Sequence, residues 1–165
     1  SAVTEPFGDI RLSCLSSEYG VRSLLTRLMP MLPDWGIPDE TAMTLEIVLA
    51  ETLNNIAEHA FSDTDDAFIA VHIVTKDEAI CVAVHDQGKP MPGLSLPDGM
   101  LPDADVERSE LPEGGFGWFL IRSQTEALEY RRDAAGNHLS YRIPLSTNVQ
   151  PSGDCCVNFP ANNGL

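Results

Sequence analysis

Ala50-Glu51-Thr52-Leu53-Asn54-Asn55-Ile56-Ala57-Glu58-His59-Ala60-Phe61 closes a long helical pattern that begins near Pro38. Leu45, Leu49, Leu53, Ile56 and Ala60 recur at three- and four-residue spacing, which is the apolar stripe of an amphipathic helix. At 3.6 residues per turn, Glu51, Asn55, Glu58 and His59 fall on the other side. Taken alone, that row is the solvated face carried by nearly every amphipathic helix, and a short motif by itself decides no chemistry. What it means depends on the sequence around it.

Upstream, Asp9 to Leu15 alternates apolar and polar residues like a half-buried strand. Ser16 or Ser17 then caps a helix with Val21, Leu24, Leu25 and Leu28 on one face. Pro30 and Pro33 end it, because proline lacks the N–H and clashes with the preceding turn. Trp35-Gly36-Ile37 connects to Pro38, which suits the first position of the next helix, and Asp39 and Glu40 complement that helix's positive end.

Downstream, Ala67 to Thr75 and Ala79 to His85 are β-rich runs separated by Lys76-Asp77-Glu78, an antiparallel hairpin. The second run leads into Asp86-Gln87-Gly88-Lys89-Pro90. Residues 90 to 113 then change character, with five prolines, glycines at 93 and 99, and six acids. A structureless stretch this long inside a domain is either a functional loop or a disordered insertion. Gly114, Gly115 and Gly117 precede an apolar helical run starting at Phe119, Leu120 and Ile121. Leu128, Tyr130 and Arg132 lead into Ala134-Ala135-Gly136-Asn137, and Leu139, Tyr141 and Ile143 alternate back as a terminal hairpin. The order predicts an α+β fold: a two-layer sandwich of an antiparallel-rich mixed sheet with three helices on one face. Residues 1–145 form a single domain, and 146–165 read as a loose polar tail.

The chain of 165 residues is long enough to bury a real core, and 43% hydrophobic content argues against global disorder. Ten Lys and Arg against 25 Asp and Glu give a net charge of −15. Such a surface repels nucleic acid and anionic membranes, so direct nucleic-acid and membrane partners are not expected. A bound phosphate must be held by local donors or a metal against this field. Cys14, Cys81, Cys155 and Cys156 show no zinc-ligand spacing, and the first two read as buried thiols. No signal peptide or long apolar run is visible, so a cytoplasmic address is expected.

Three constellations therefore stand in order: Glu51-x3-Asn55-x3-His59, Asp86-x-Gly88, and Gly114-Gly115-x-Gly117 at a helix entry. In this order and context the chain resembles the GHKL (Bergerat-fold) ATPase superfamily across roughly residues 9 to 145. Pro112-Glu113-Gly114-Gly115-Phe116-Gly117-Trp118-Phe119-Leu120-Ile121 is most similar to the anti-sigma-factor serine/threonine kinases of the RsbW-like branch. The resemblance implies ATP and Mg²⁺ as cofactors, Glu51 as the catalytic base and Asn55 as the metal ligand. It places Asp86 and Gly88 at the adenine, Gly114, Gly115 and Gly117 around the phosphates, and residues 90 to 113 as the ATP lid.

Elementary chemistry is consistent with each role. A carboxamide oxygen suits Mg²⁺, a carboxylate one turn earlier can take a proton from an attacking hydroxyl, and glycines at a helix entry expose N–H groups to phosphate. Asp86 can accept the adenine amino proton, and Gly88 lets the backbone approach the base. The blander alternatives are a helix-surface Asn, a turn-starting Asp and a glycine hinge.

Pro90 stands where the fuller Asp-x-Gly-x-Gly pattern has its second glycine, a departure that bears on the flexibility of the loop beside the adenine. Lys89 and Arg108, the only cations between Asp86 and Gly117, are expected to be solvated. His59 is expected to pack or hydrogen-bond beneath the nucleotide, not to accept phosphate. The implied partners are a STAS-domain antagonist and a sigma factor or other output protein; many relatives dimerise, so the resemblance allows a homodimer while the sequence leaves the oligomeric state open. The rival is a non-catalytic module in which ATP selects between partners; an ATPase fragment of a gyrase-like machine is disfavoured by the missing transducer domain.

Overall fold

Strand β1 (Asp9–Leu15) is followed by Ser17, whose hydroxyl accepts the Gly20 N–H at 3.0 Å and starts helix α1 (Glu18–Leu28). The computed structural model describes residues 7–59, 67–98 and 115–145. After α1 the two prolines fall in two single 3₁₀ turns, Pro30 second in Met29–Met31 and Pro33 first in Pro33–Trp35. Gly36, at φ 81°, then reverses the chain in the left-handed region that favours glycine.

Helix α2 (Asp39–His59) begins one residue later than expected. The Pro38 carbonyl accepts the Ala42 N–H, which puts Pro38 just outside the helix. Strands β2 (Phe68–Lys76) and β3 (Ala79–Asp86) form the expected hairpin, with Asp77 and Glu78 at φ 52° and 58° in its turn. Helix α3 (Gly115–Gln124) precedes the second hairpin, β4 (Glu126–Asp133) and β5 (Gly136–Pro144). The expected lid is described only as far as Asp98, and Gly114, Arg108 and the tail 146–165 lie outside the described residues.

The five strands lie in the order β1-β2-β3-β5-β4, and every pairing is antiparallel, so the sheet is antiparallel where a mixed one was expected. The reason is connectivity: β5 returns from its hairpin with β4 to pair directly with β3, leaving β4 outermost. Residues directly opposite in register share a face. Ile73, Val82 and Tyr141 therefore form one row, and Val71, Val84 and Leu139 the next. All six are buried, together with Leu24, Leu28, Leu45, Leu49, Leu53 and Ile121 from the three helices. Each fully buried side chain of this size contributes roughly 1.5–3 kcal/mol.

The stripe on α2 is as expected at Leu45, Leu49 and Leu53, but the buried face is wider than the stripe. Val48, Thr52 and Asn55 are buried as well. Asn55 lies seven residues from Val48, which on a helix is a rotation of only about 20°. The blander alternative of a solvated helix surface therefore fails at Asn55, where α3 packs against this flank of α2, while Glu58 and His59 are exposed. Thr52 donates to the Val48 carbonyl at 2.7 Å, so Tyr141 donates its hydroxyl to Thr52 at 3.1 Å, fixing the rotation of α2 over the sheet.

Candidate functional site

Asp86 is the last residue of β3, and the sheet register sets it beside Asn137 at the start of β5. Gly136 makes this approach possible: it adopts φ +122°, and a Cβ there would stand 2.2 Å from the Asp86 carbonyl oxygen. Asp86 is only 4% exposed. Its Oδ1 accepts the Gly88 N–H and the Asn137 amide, each at 2.9 Å. Oδ2 has no partner among the described residues. The carboxylate is thus held by one oxygen and offers the other.

Gly88 is turned inward. Besides closing the turn onto Asp86, its carbonyl accepts from Arg132 Nη1 at 2.5 Å and from Asn137 Nδ2 at 3.3 Å. Asn137 also donates to the Lys89 carbonyl at 2.9 Å and accepts at Oδ1 from the Tyr130 hydroxyl at 2.6 Å. Sequence reasoning missed Asn137, because an Asn after Gly reads as turn chemistry. Its functional signal exists only once β5 is known to lie against β3.

Between this polar end and α2 lies a cavity of about 380 Å³. Ile56, Met91, Leu96, Trp118 and Leu139 supply apolar walls, and Asp86, Asn137 and Asn55 supply polar points. Apolar walls with a few convergent polar groups suit a flat aromatic ligand. Lys89 lines the cavity, so the cation expected to be merely solvated stands where it can meet a ligand. His59 also lines it but is an exposed side chain at the end of α2 and has no hydrogen bond to a described residue.

Asn55 is 6% exposed, and its Nδ2 is buried without a hydrogen-bond partner among the described residues. A buried amide left unsatisfied costs stability, so such a group is retained where a ligand completes it. Glu51, half-buried one turn earlier, lies against α3 and does not line the cavity. Gly117 joins the two: a Cβ there would stand 2.7 Å from Glu51 Oε2 and 3.4 Å from Asn55 Nδ2. The glycines were expected to precede the helix. Gly115 instead opens α3 and Gly117 lies within its first turn, where a bare Cα lets α3 approach α2.

No group of three or more His, Cys, Asp or Glu among the described residues is placed to hold a metal ion. A divalent ion here would have the Asn55 carboxamide as its side-chain ligand and would draw the rest from phosphate and water, which is how Mg²⁺ is commonly held.

The sequence matches the histidine kinase-like ATPase domain over residues 16–143. The chain belongs to that family. Membership carries ATP binding and accounts for a cavity closed by α2, β3, β5 and α3. Among solved structures, the chain is similar to the crystal structure of the RsbU and RsbW domains of Rv1364c from Mycobacterium tuberculosis. The TM-score is 0.57 at 14% identity over 87% of this chain, a likeness of fold. The chain spans about a third (34%) of the length of that one. No curated protein matches the sequence. Within this ATPase domain no helix among the described residues is long and apolar enough to cross a membrane.

Proposed function

We propose that the chain is a Mg·ATP-dependent serine/threonine protein kinase of a partner-switching module. In this reading it phosphorylates a hydroxyl on a STAS-domain antagonist and sequesters a sigma factor or other output protein. The observation that carries the reading is the convergence of Glu51, Asn55 and Gly117 beside a nucleotide-sized cavity. Ile56 and Met91 would supply apolar walls for the adenine, and Asp86 Oδ2 would accept its amino proton. The phosphates would be met near Asn55 and the first turn of α3, where Gly115 and Gly117 leave N–H groups room; the resemblance adds Gly114, which lies outside the described residues. Asn55 would hold Mg²⁺, which would supply charge neutralisation at the phosphates.

Glu51 takes the proton of the incoming hydroxyl. A bond forms from that oxygen to the γ-phosphorus, the bond to the β-phosphate oxygen breaks, and ADP carries away the electron pair. Incubating the protein with Mg·ATP and candidate STAS proteins, then measuring intact mass, should show one added phosphoryl group on the partner.

A second reading is favoured by the position of Glu51, which stands against α3 outside the cavity lining. In that reading the domain binds ATP without transferring phosphate, and the nucleotide selects between partners. Wild-type protein that binds ATP tightly yet modifies no STAS partner would establish this second reading over the first.

A further inference from the structure

Pro90-Met91-Pro92 leaves one backbone donor in three residues, because proline has no N–H. That donor, the Met91 N–H, is bonded to the Tyr130 hydroxyl at 2.9 Å. An N–H can only donate, so the hydroxyl oxygen accepts it and has its own proton free to give. Tyr130 gives that proton to Asn137 Oδ1 at 2.6 Å, a carboxamide oxygen that can only accept.

These roles fix the orientation of the Asn137 amide. With its oxygen toward Tyr130, its NH₂ faces Asp86 Oδ1 and the Gly88 and Lys89 carbonyls. The flipped amide would put an oxygen against three acceptors. Arg132 also donates to Asn137 Oδ1, but at 3.2 Å and from an exposed side chain whose shorter bond goes to Gly88. Tyr130, Asn137, Asp86 and Met91 all line the 380 Å³ cavity. One hydroxyl therefore ties the start of the expected lid to the carboxylate at the cavity's polar end.

We propose that Tyr130 is a positioning residue for purine specificity: through Asn137 it sets the Asp86 carboxylate, and through the Met91 N–H it couples an occupied purine site to the adjoining lid segment. The proposal rests on reading this cavity as the ATP site. Pro90, where the related pattern has glycine, then has a physical role. It removes a competing donor and leaves Met91 as the one backbone N–H by which this stretch can be held.

The test is Tyr130→Phe, which keeps the ring in the cavity wall and removes only the hydroxyl. The probes are adenosine and guanosine, which carry no phosphate and need no metal. Wild type should prefer adenosine. Tyr130→Phe should lose roughly 3- to 10-fold of adenosine affinity, the worth of one neutral hydrogen bond. Guanosine affinity and the ratio of ATP to adenosine affinity should be unchanged. Adenosine should also slow hydrogen exchange at the Met91 amide in wild type and not in the variant. A variant with the wild-type adenosine-to-guanosine ratio and the wild-type Met91 protection would overturn the proposal while leaving the ATP site standing. A wild-type protein without adenosine preference would overturn the ATP-site reading and this proposal together.

Discussion

Gly117 in α3 faces Glu51 in α2 so closely that a Cβ on the glycine would stand 2.7 Å from the carboxylate oxygen Oε2. The obstacle is the far end of a flexible side chain, so Glu51 can swing aside while the helices stay in place. Gly117→Ala should therefore leave the melting temperature unchanged or slightly raised, since Ala exceeds Gly in helix preference by about 0.5–1 kcal/mol. Phosphoryl transfer should fall roughly 10-fold or more, because small misplacements of a reacting group are costly. Thermal melts and transfer assays on the same preparation check this pair of outcomes. Full activity in a well-folded variant would mean that the position of Glu51 does not matter.

Asn55 is expected to act on the metal–phosphate end of the ligand. Its amide is buried and incompletely bonded, and it lines the cavity apart from Asp86. Asn55→Ala should weaken Mg·ATP much more than ADP measured without metal. Calorimetry in both conditions decides it, and equal losses would reduce Asn55 to a structural residue.

In the proposed reading Asp86 acts at the opposite end. Asp86→Ala would remove the proposed acceptor for the adenine amino group and strand the Asn137 amide that now donates to it. Adenine-nucleotide affinity should fall by roughly 1.5–3 kcal/mol, the range for a hydrogen bond to a charged group. Guanine nucleotides, which present a carbonyl at that edge, should be bound more weakly than adenine nucleotides by wild type. Equal ATP and GTP affinities in wild type would end this assignment.

These roles differ in how far local sequence shows them. The α2 stripe, the two hairpins and the proline breaks were legible because each depends on periodicity or backbone chemistry within about a dozen residues. Asp86 at a strand end was legible for the same reason. The burial of Asn55 was not, because it depends on α3 covering one flank of α2 from about sixty residues away. Asn137 and Tyr130 were legible only as a turn and a strand residue. Their roles depend on β5 entering the sheet between β3 and β4, a non-local register. Gly117 was readable as a helix-entry glycine, but its contact with Glu51 needed the packing of two helices.

Alkaline pH should destabilise the fold. Burial pushes the Cys14 thiol from 9.0 up to about 11, with the Arg27 charge pulling the other way. Burial raises the Tyr141 phenol from 10.0 as well, opposed by its bond to Thr52. In both cases the folded chain keeps a proton that the unfolded chain releases. Stability is therefore full below the unfolded values and falls as pH rises through about 9 to 11 for Cys14, and from 10 upward for Tyr141. Urea midpoints measured across this range should decline. Tyr141→Phe should cost about 1 kcal/mol at neutral pH for the lost Thr52 bond and decline less steeply above pH 10. Identical slopes in the two proteins would remove Tyr141 from the account.

The choice between kinase and binding module depends on Glu51. Its carboxylate stands one helical turn from Asn55 and outside the cavity lining, so it has little to contribute to holding ATP in the ground state. An interaction made mainly in the transition state lowers turnover when removed and leaves binding nearly intact. Glu51→Gln keeps the size of the side chain and its fit against Gly117 while removing the proposed base. The variant should bind Mg·ATP within a few-fold of wild type and lose ~10²-fold or more in phosphoryl transfer, the low end for loss of a general base. Parallel calorimetry and intact-mass kinetics separate the two effects. Undiminished transfer would take Glu51 out of the mechanism. A loss of binding equal to the loss of transfer would make it a ligand contact, placing the carboxylate in the nucleotide site itself and removing its role as base.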